Sequence, residues 1–173
     1  LAELSTLVIG GGAIGMLSAL LLTHYGCRHV TVAETNKLRK ETVAQAVGCT
    51  VHDPLNDPEI PDDSFDLVID AVGSGRTRAA SCRFVRAGGV ISHVGLQDNE
   101  PGLDTRRITL EEITLLGNYT YSPVDLRAAI QALYRGDLGP LDWVEARPLS
   151  DGSAAFRDIH EGKAAAPKIV LQP

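Results

Sequence analysis

The segment Gly10-Gly11-Gly12-Ala13-Ile14-Gly15 stands between the apolar run Leu7 to Ile9 and a near-continuous apolar stretch, Ala13 to Tyr25, that ends at Gly26. A short apolar run closed by glycines predicts a strand, and a long apolar stretch closed by one glycine predicts a buried helix. The chain therefore begins as strand, tight turn and helix, with its glycines in the pattern G-x-G-x-x-G. The three glycines serve different ends. Gly10 permits the turn, Gly12 removes a Cβ where a ligand would approach, and Gly15 lets the helix pack close to the sheet. Unpaired N–H groups and the positive end of the helix dipole then face the turn, an arrangement suited to a pyrophosphate without any lysine.

A glycine pattern alone also fits a glycine-rich turn in any α/β protein. Glu34 discriminates, because it follows the next apolar run, Val30 to Ala33, and stands 19 residues after Gly15. An acid at about that distance accepts a hydrogen bond from an adenosine ribose. A 2′-phosphate about 4 Å from this carboxylate would be repelled by about 4 kcal/mol per charge pair at an effective dielectric near 20. NAD is accordingly expected over NADP, with Arg39 and Lys37 close enough to soften the preference.

The same alternation continues along the chain. Asn36 is placed to cap a helix that runs through Val47 to a stop at Gly48, and Thr50 to His52 forms a third strand. Strands follow at Phe65 to Val72, Val90 to Val94 and Ile113 to Leu116, with a helix over Thr77 to Val85. Strands alternating with helices predict a parallel sheet covered on both faces, and right-handed crossovers give a doubly wound α/β Rossmann fold with strand order 3-2-1-4-5-6. Its ligand crevice opens beside strand one, where that order reverses. The remaining segments are read as a helix at Pro123 to Tyr134, a strand at Trp143 to Ala146, a helix at Ala154 to His160 and a strand at Lys168 to Leu171.

Composition removes other classes of function. A net charge of -6 and scattered basic residues give no reason to approach nucleic acid or anionic lipid. No apolar stretch reaches the roughly 20 residues of a membrane span, and the expected location is the cytoplasm. Cys27, Cys49 and Cys82 are three in number and widely spaced, which suits buried free thiols better than a disulfide framework or a zinc site. His24, His29, His52, His93 and His160 share no i, i+4 spacing and no clustered carboxylate partner, so no metal site is expected; His93 alone lies at the crevice end of a strand. Asp62-Asp63 and Glu111-Glu112 suit a solvated surface, and Asp70, among apolar neighbours, suits a structural hydrogen bond to a nearby turn.

Gly10 to Gly15, Glu34, the run Phe65-Asp66-Leu67-Val68-Ile69-Asp70-Ala71-Val72-Gly73 and the run Gly88-Gly89-Val90-Ile91-Ser92-His93-Val94-Gly95-Leu96 together resemble the medium-chain dehydrogenase/reductase family. The similarity is greatest to its zinc-containing alcohol and polyol dehydrogenases, and it extends through Phe156-Arg157-Asp158 and Gly162-Lys163 to Lys168-Ile169-Val170-Leu171. It implies that Gly10, Gly12 and Gly15 form the pyrophosphate turn, with amides near Ala13 and Ile14 on phosphate. Glu34 would hold the adenosine ribose and Arg39 would lie over the adenosine. Ala71, Val72 and Gly73 would line the cleft, Val94, Gly95 and Leu96 would approach the nicotinamide, and backbone groups around Asn118 and Thr120 would orient its carboxamide.

The resemblance also implies an NAD-binding domain over residues 1–140, and a segment over 141–173 that returns toward a catalytic domain. That domain, with its zinc and its small alcohol substrate, is expected outside this sequence, so the chain alone should bind cofactor without turnover. A homodimer through strand 113–116 is implied as well. Glu34 stands where the family more commonly has aspartate, and a zinc-free branch shares this half. A noncatalytic NAD-sensing module and an S-adenosylmethionine-dependent methyltransferase stay open as alternative readings.

Overall fold

The structure, a computed structural model, describes residues 2–173. Strands β1 (Ser5–Ile9), β2 (His29–Ala33), β3 (Thr50–His52), β4 (Phe65–Asp70), β5 (Val85–His93) and β6 (Thr114–Gly117) form one parallel sheet in the order β3-β2-β1-β4-β5-β6. The connecting helices are α1 (Ala13–His24), α2 (Lys37–Val47), α3 (Gly75–Phe84) and α4 (Thr105–Leu110).

Alternate strand residues point to opposite faces of the sheet, and the core divides accordingly. Val8, Val30 and Val32 pack with Met16, Ala19 and Leu20 of α1 and Val43 and Val47 of α2. On the other face Leu7, Ile9, Val68 and Ile91 pack with Cys82 of α3, and Ile108 of α4 is packed against them. Helices thus cover both faces, and β1 and β4 are buried at the centre.

Several boundaries differ from the sequence expectation for physical reasons. β4 stops at Asp70 rather than Val72, because the Asp70 carboxylate takes the N–H groups of Val72 and Gly73 and turns the chain. α3 begins at Gly75 rather than Thr77, since Ser74 and Thr77 form a reciprocal capping box. Strand five was expected to start after Gly88-Gly89, yet β5 begins at Val85. Its register slips, with Phe65 pairing Val85 and Leu67 pairing Val90, and Gly88 absorbs the irregularity at φ 70°. The short helix α4 was not anticipated; Asp104 caps it, and Arg107 fastens it to the carbonyls of Arg83 and Val85.

The acidic pairs are also more engaged than a solvated surface suggests. Asp62 pairs with Arg83 at 2.5 Å, while Arg107 holds both Asp63 and Glu111. Asp53, almost fully buried after β3, accepts from Lys40, Asn56 and the Leu55 N–H, and these contacts, Lys40 first, hold its carboxyl well below the usual carboxylate range. Cys27 and Cys82 are buried thiols, whereas Cys49 is half-buried; desolvation nevertheless raises its pKa to about 11, which keeps it protonated and unreactive at neutral pH.

After β6 the chain forms α5 (Pro123–Arg135), β7 (Val144–Pro148), a 3-10 turn (Leu149–Asp151), α6 (Gly152–His160) and β8 (Lys168–Gln172). β7 and β8 pair with each other in parallel as a separate ribbon. Trp143 and Leu138 join the α1 face of the core. The tail is tied to α2 as well: Asn36 Nδ2 donates to the Gly162 carbonyl at 2.6 Å and Thr42 donates to that of Ala165 at 3.2 Å. Among the described residues, no helix is long and apolar enough to cross a membrane.

Candidate functional site

The order of the sheet reverses beside β1, and a cleft of about 1120 Å³ opens there, lined by Gly10, Gly12, Glu34, Arg39, Ala71 and Val72 among others. Its volume slightly exceeds the usual range of small-molecule sites, about 300–1,000 Å³.

The glycine turn is built as its spacing predicts. Gly10 has φ 98° and donates its N–H to the Ala33 carbonyl at 2.8 Å, locking the turn to the end of β2. A Cβ on Gly15 would lie 1.8 Å from the Gly10 carbonyl oxygen, so the helix can approach this closely only without a side chain. Nothing lies within 4 Å of a Cβ built on Gly12, whose backbone therefore faces open space. Helices α2 to α5 have side-chain caps, from Asn36, Ser74, Asp104 and Ser122 in turn, whereas α6 in the tail has none. No side chain caps α1, and the N–H groups of Ala13 and Ile14 in its first turn have no intrahelical acceptor.

Glu34, only 5% exposed, is enclosed by donors. Its Oε2 accepts from the Gly11 N–H at 2.9 Å and from Arg39 Nε at 3.1 Å; its Oε1 accepts from the Asn36 N–H at 2.8 Å and, more weakly, from Arg39 Nη2 at 3.4 Å. Arg39 thus forks onto the carboxylate.

Asp70 organises the opposite wall. Its Oδ1 accepts from the N–H groups of Val72 and Gly73 at 3.1 and 2.8 Å, and its Oδ2 lies 3.1 Å from both Thr77 Oγ1 and His93 Nδ1. Its carbonyl accepts from the N–H groups of Val94 and Gly95 at 3.0 and 2.9 Å. The structural role expected for Asp70 is therefore present, on both the 71–73 and the 94–96 segments. The histidines require a correction, since three of them do face carboxylates: His93 faces Asp70, His24 lies 3.7 Å from Asp137 and His52 lies 3.8 Å from Asp57. Their partners come from neighbouring strands or distant loops, which spacing along the chain does not reveal.

Not every expected residue lines the same cavity. Val94, Gly95 and Leu96 lie beyond β5, with Gly95 against Val72 and Gly73 and Leu96 exposed, outside the lining of the main cleft. Asn118 and Thr120 follow β6. The Asn118 N–H is committed to the His93 carbonyl at 2.9 Å, its side chain donates to Ser92 Oγ, and Thr120 holds φ 55°, a sparse conformation for a β-branched residue. The sequence reading missed Gly11 as a partner of Glu34. It also missed Asp98, which accepts from Arg78 and from the Gly75 N–H, both at 2.9 Å, at the far side of the cleft. Among the described residues, no three His, Cys, Asp or Glu side chains gather as a metal cage.

An uncapped helix over an open glycine turn, an acid at the end of β2 and the 3-2-1-4-5-6 sheet define a dinucleotide-binding domain of the dehydrogenase type. The family model described as zinc-binding dehydrogenase matches residues 13–135, and the chain belongs to that family as a cofactor-binding domain of the zinc-type medium-chain dehydrogenases. The chain is 27% identical to L-threonine 3-dehydrogenase of Streptomyces coelicolor over 174 aligned positions, 95% of this chain and 50% of that protein. It is 28% identical to a Saccharomyces cerevisiae protein described as a probable diacetyl reductase, over 98% of this chain and 44% of the relative. It therefore spans about half the length of the relatives it matches. The fold is shared with acetophenone reductase from Geotrichum candidum in complex with NAD, at TM-score 0.86 and 21% identity over 99% of this chain and 49% of that one. A Sinorhizobium meliloti structure bound to NADP shares it at TM-score 0.81 and 23% identity, over 99% of this chain and 53% of that one.

Proposed function

We propose that the chain is the NAD(H)-binding domain of an oxidoreductase that transfers hydride between an alcohol or polyol and NAD. The observation that carries this reading is the uncapped α1 N-terminus above the open Gly12 backbone, with Glu34 closing the next strand. Gly10, Gly12 and Gly15 shape the pyrophosphate turn, and the Ala13 and Ile14 amides meet its charge. Glu34 and Arg39 receive the adenosine end, Ala71, Val72 and Gly73 form the wall, and Val94, Gly95, Leu96, Asn118 and Thr120 lie toward the nicotinamide. The bound cofactor would supply hydride acceptance; the chain's own residues bind and orient it without turnover. A zinc that polarises the substrate oxygen belongs, in this reading, to a domain outside these residues.

Calorimetric titration with NADH, NADPH and S-adenosylmethionine tests the reading. NADH should bind at least about tenfold tighter than NADPH, a difference of about 1.4 kcal/mol, because the Glu34 charge opposes a 2′-phosphate even though Arg39 offsets part of it. Tighter NADPH binding would overturn the cofactor preference, and binding of S-adenosylmethionine alone would overturn the dehydrogenase reading.

The homodimer through residues 113–116 is part of the same proposal. β6 is the sheet edge, and Leu115 and Leu116 on it are 37% and 51% exposed. Such an edge offers unpaired backbone groups to a second copy. Light scattering at micromolar concentration should give the mass of two chains; the mass of one would sink this part.

A further inference from the structure

Gly11 is not among the three glycines that the turn pattern requires, and no positive φ calls for glycine there. Its surroundings give a different reason. A Cβ at position 11 would lie 2.9 Å from Glu34 Oε2, 3.0 Å from Val43 Cγ2 and 3.3 Å from Glu34 Cβ. The space that residue 11 leaves empty is the space into which the glutamate folds, and the Gly11 N–H donates to that same Oε2 at 2.9 Å. A carboxylate offers about four acceptor positions. Gly11 and Asn36 fill one on each oxygen from the backbone, while Arg39 reaches both oxygens from a side chain and is the donor that can swing away.

We propose that Gly11 is a specificity-determining residue coupled to Glu34: it gives the glutamate room to fold back onto the turn and donates to it, which sets how far the carboxylate reaches toward a ribose diol. This rests on the reading that Glu34 receives the adenosine ribose of NAD. A glutamate is one methylene longer than an aspartate, and extended from the end of β2 it would enter the volume that the ribose needs. Folded onto Gly11, it withdraws by roughly that methylene and presents the oxygen edge that Arg39 vacates. Residues 11 and 34 are therefore a matched pair, in which glycine suits glutamate and a residue with a Cβ suits aspartate.

A double-mutant cycle tests the coupling. NADH and NADPH affinities are measured for the unaltered chain, Gly11→Ala, Glu34→Asp and the double variant, with a thermal melt of each. Gly11→Ala should weaken NADH at least about tenfold and lower the ratio of NADH to NADPH affinity, an effect that general loosening would not have, since it weakens both ligands alike. The double variant should recover NADH binding to within about threefold of the unaltered chain, a non-additivity of the size seen for side chains in contact. Should Gly11→Ala fail to fold, the double variant is compared with Glu34→Asp alone: equal or tighter NADH binding in the double supports the pair, and weaker binding overturns it. Additive losses, or unchanged binding in Gly11→Ala, also overturn it while leaving the NAD reading intact. Absence of NADH binding by the unaltered chain removes both.

Discussion

Gly73→Ala should lower stability by about 3 kcal/mol or more, while Gly12→Ala should leave stability unchanged and abolish most NADH binding. Gly12 lines the cleft, Gly73 follows Ala71 and Val72 of its lining, and the two glycines are small for opposite reasons. Gly73 has φ 75°, and a Cβ there would lie 1.9 Å from the Gly95 carbonyl oxygen and 2.5 Å from the Leu96 nitrogen. A left-handed conformation costs a residue with a Cβ about 1–2 kcal/mol. Overpacking typically adds about 1–3 kcal/mol, and here the obstacle is backbone, which cannot turn aside as a flexible side chain does. For a domain of this size the melting temperature should fall by about 2–4 °C per kcal/mol, so a drop of at least about 6 °C is expected.

Gly12 sits at φ -70° and ψ -174°, extended backbone that any residue adopts, and a Cβ there touches nothing. Alanine at position 12 therefore fits the free chain and obstructs only a ligand laid on the turn. NADH affinity should fall by at least about tenfold, or about 1.4 kcal/mol, with the melting temperature held. A Gly73→Ala variant that melts with the unaltered chain would refute the packing argument, and a Gly12→Ala variant that binds NADH normally would refute the placement of the pyrophosphate.

What could be read in advance was whatever local chemistry decides. The Asn36 cap, the left-handed Gly48 stop and the bounds of β3 follow from residues near one another in sequence, and the order of the sheet follows from strand–helix alternation with right-handed crossovers. What could not be read was set across the sheet. Gly88-Gly89 has the composition of a break, yet pairing with β4 carries β5 through it. The Thr105 to Leu110 segment has weak helical character, and its helix is held by Arg107 reaching carbonyls of another element. His93 and Asp70 are 23 residues apart in sequence but directly opposite in the β4–β5 register. Glu34 was legible as an acid at a useful distance from Gly15. That its carboxylate would be filled by Gly11, Asn36 and Arg39 depended on a fold-back only the assembled turn displays.

Asp70→Ala should cost about 3 kcal/mol or more, because it strips the acceptor from several buried donors at about 1–3 kcal/mol each, and should disorganise the 71–73 and 94–96 segments. Asp70 is completely buried, and loss of its carboxylate leaves two backbone N–H groups and the His93 ring without an acceptor, while the Thr77 hydroxyl keeps the Ser74 carbonyl. Each such orphan costs about 1–3 kcal/mol, although relaxation and water entry make the sum less than additive. Asp70→Asn distinguishes loss of charge from loss of shape. Its carbonyl oxygen can still accept from Val72 and Gly73, and its amide can donate to Thr77, which turns its own hydroxyl elsewhere. His93 must then accept at Nδ1, which requires the tautomer protonated at Nε2. The amide should therefore cost about 1.5–3 kcal/mol, the worth of one hydrogen bond to a charged group, and retain most NADH binding. Urea unfolding of the two variants measures the difference through the midpoint, provided the slope is unchanged. Equal losses in the two would mean that charge rather than geometry holds the Val72–Gly73 turn, whereas an alanine variant as stable as the unaltered chain would mean that the turn keeps its shape from the close Gly73–Gly95 packing alone.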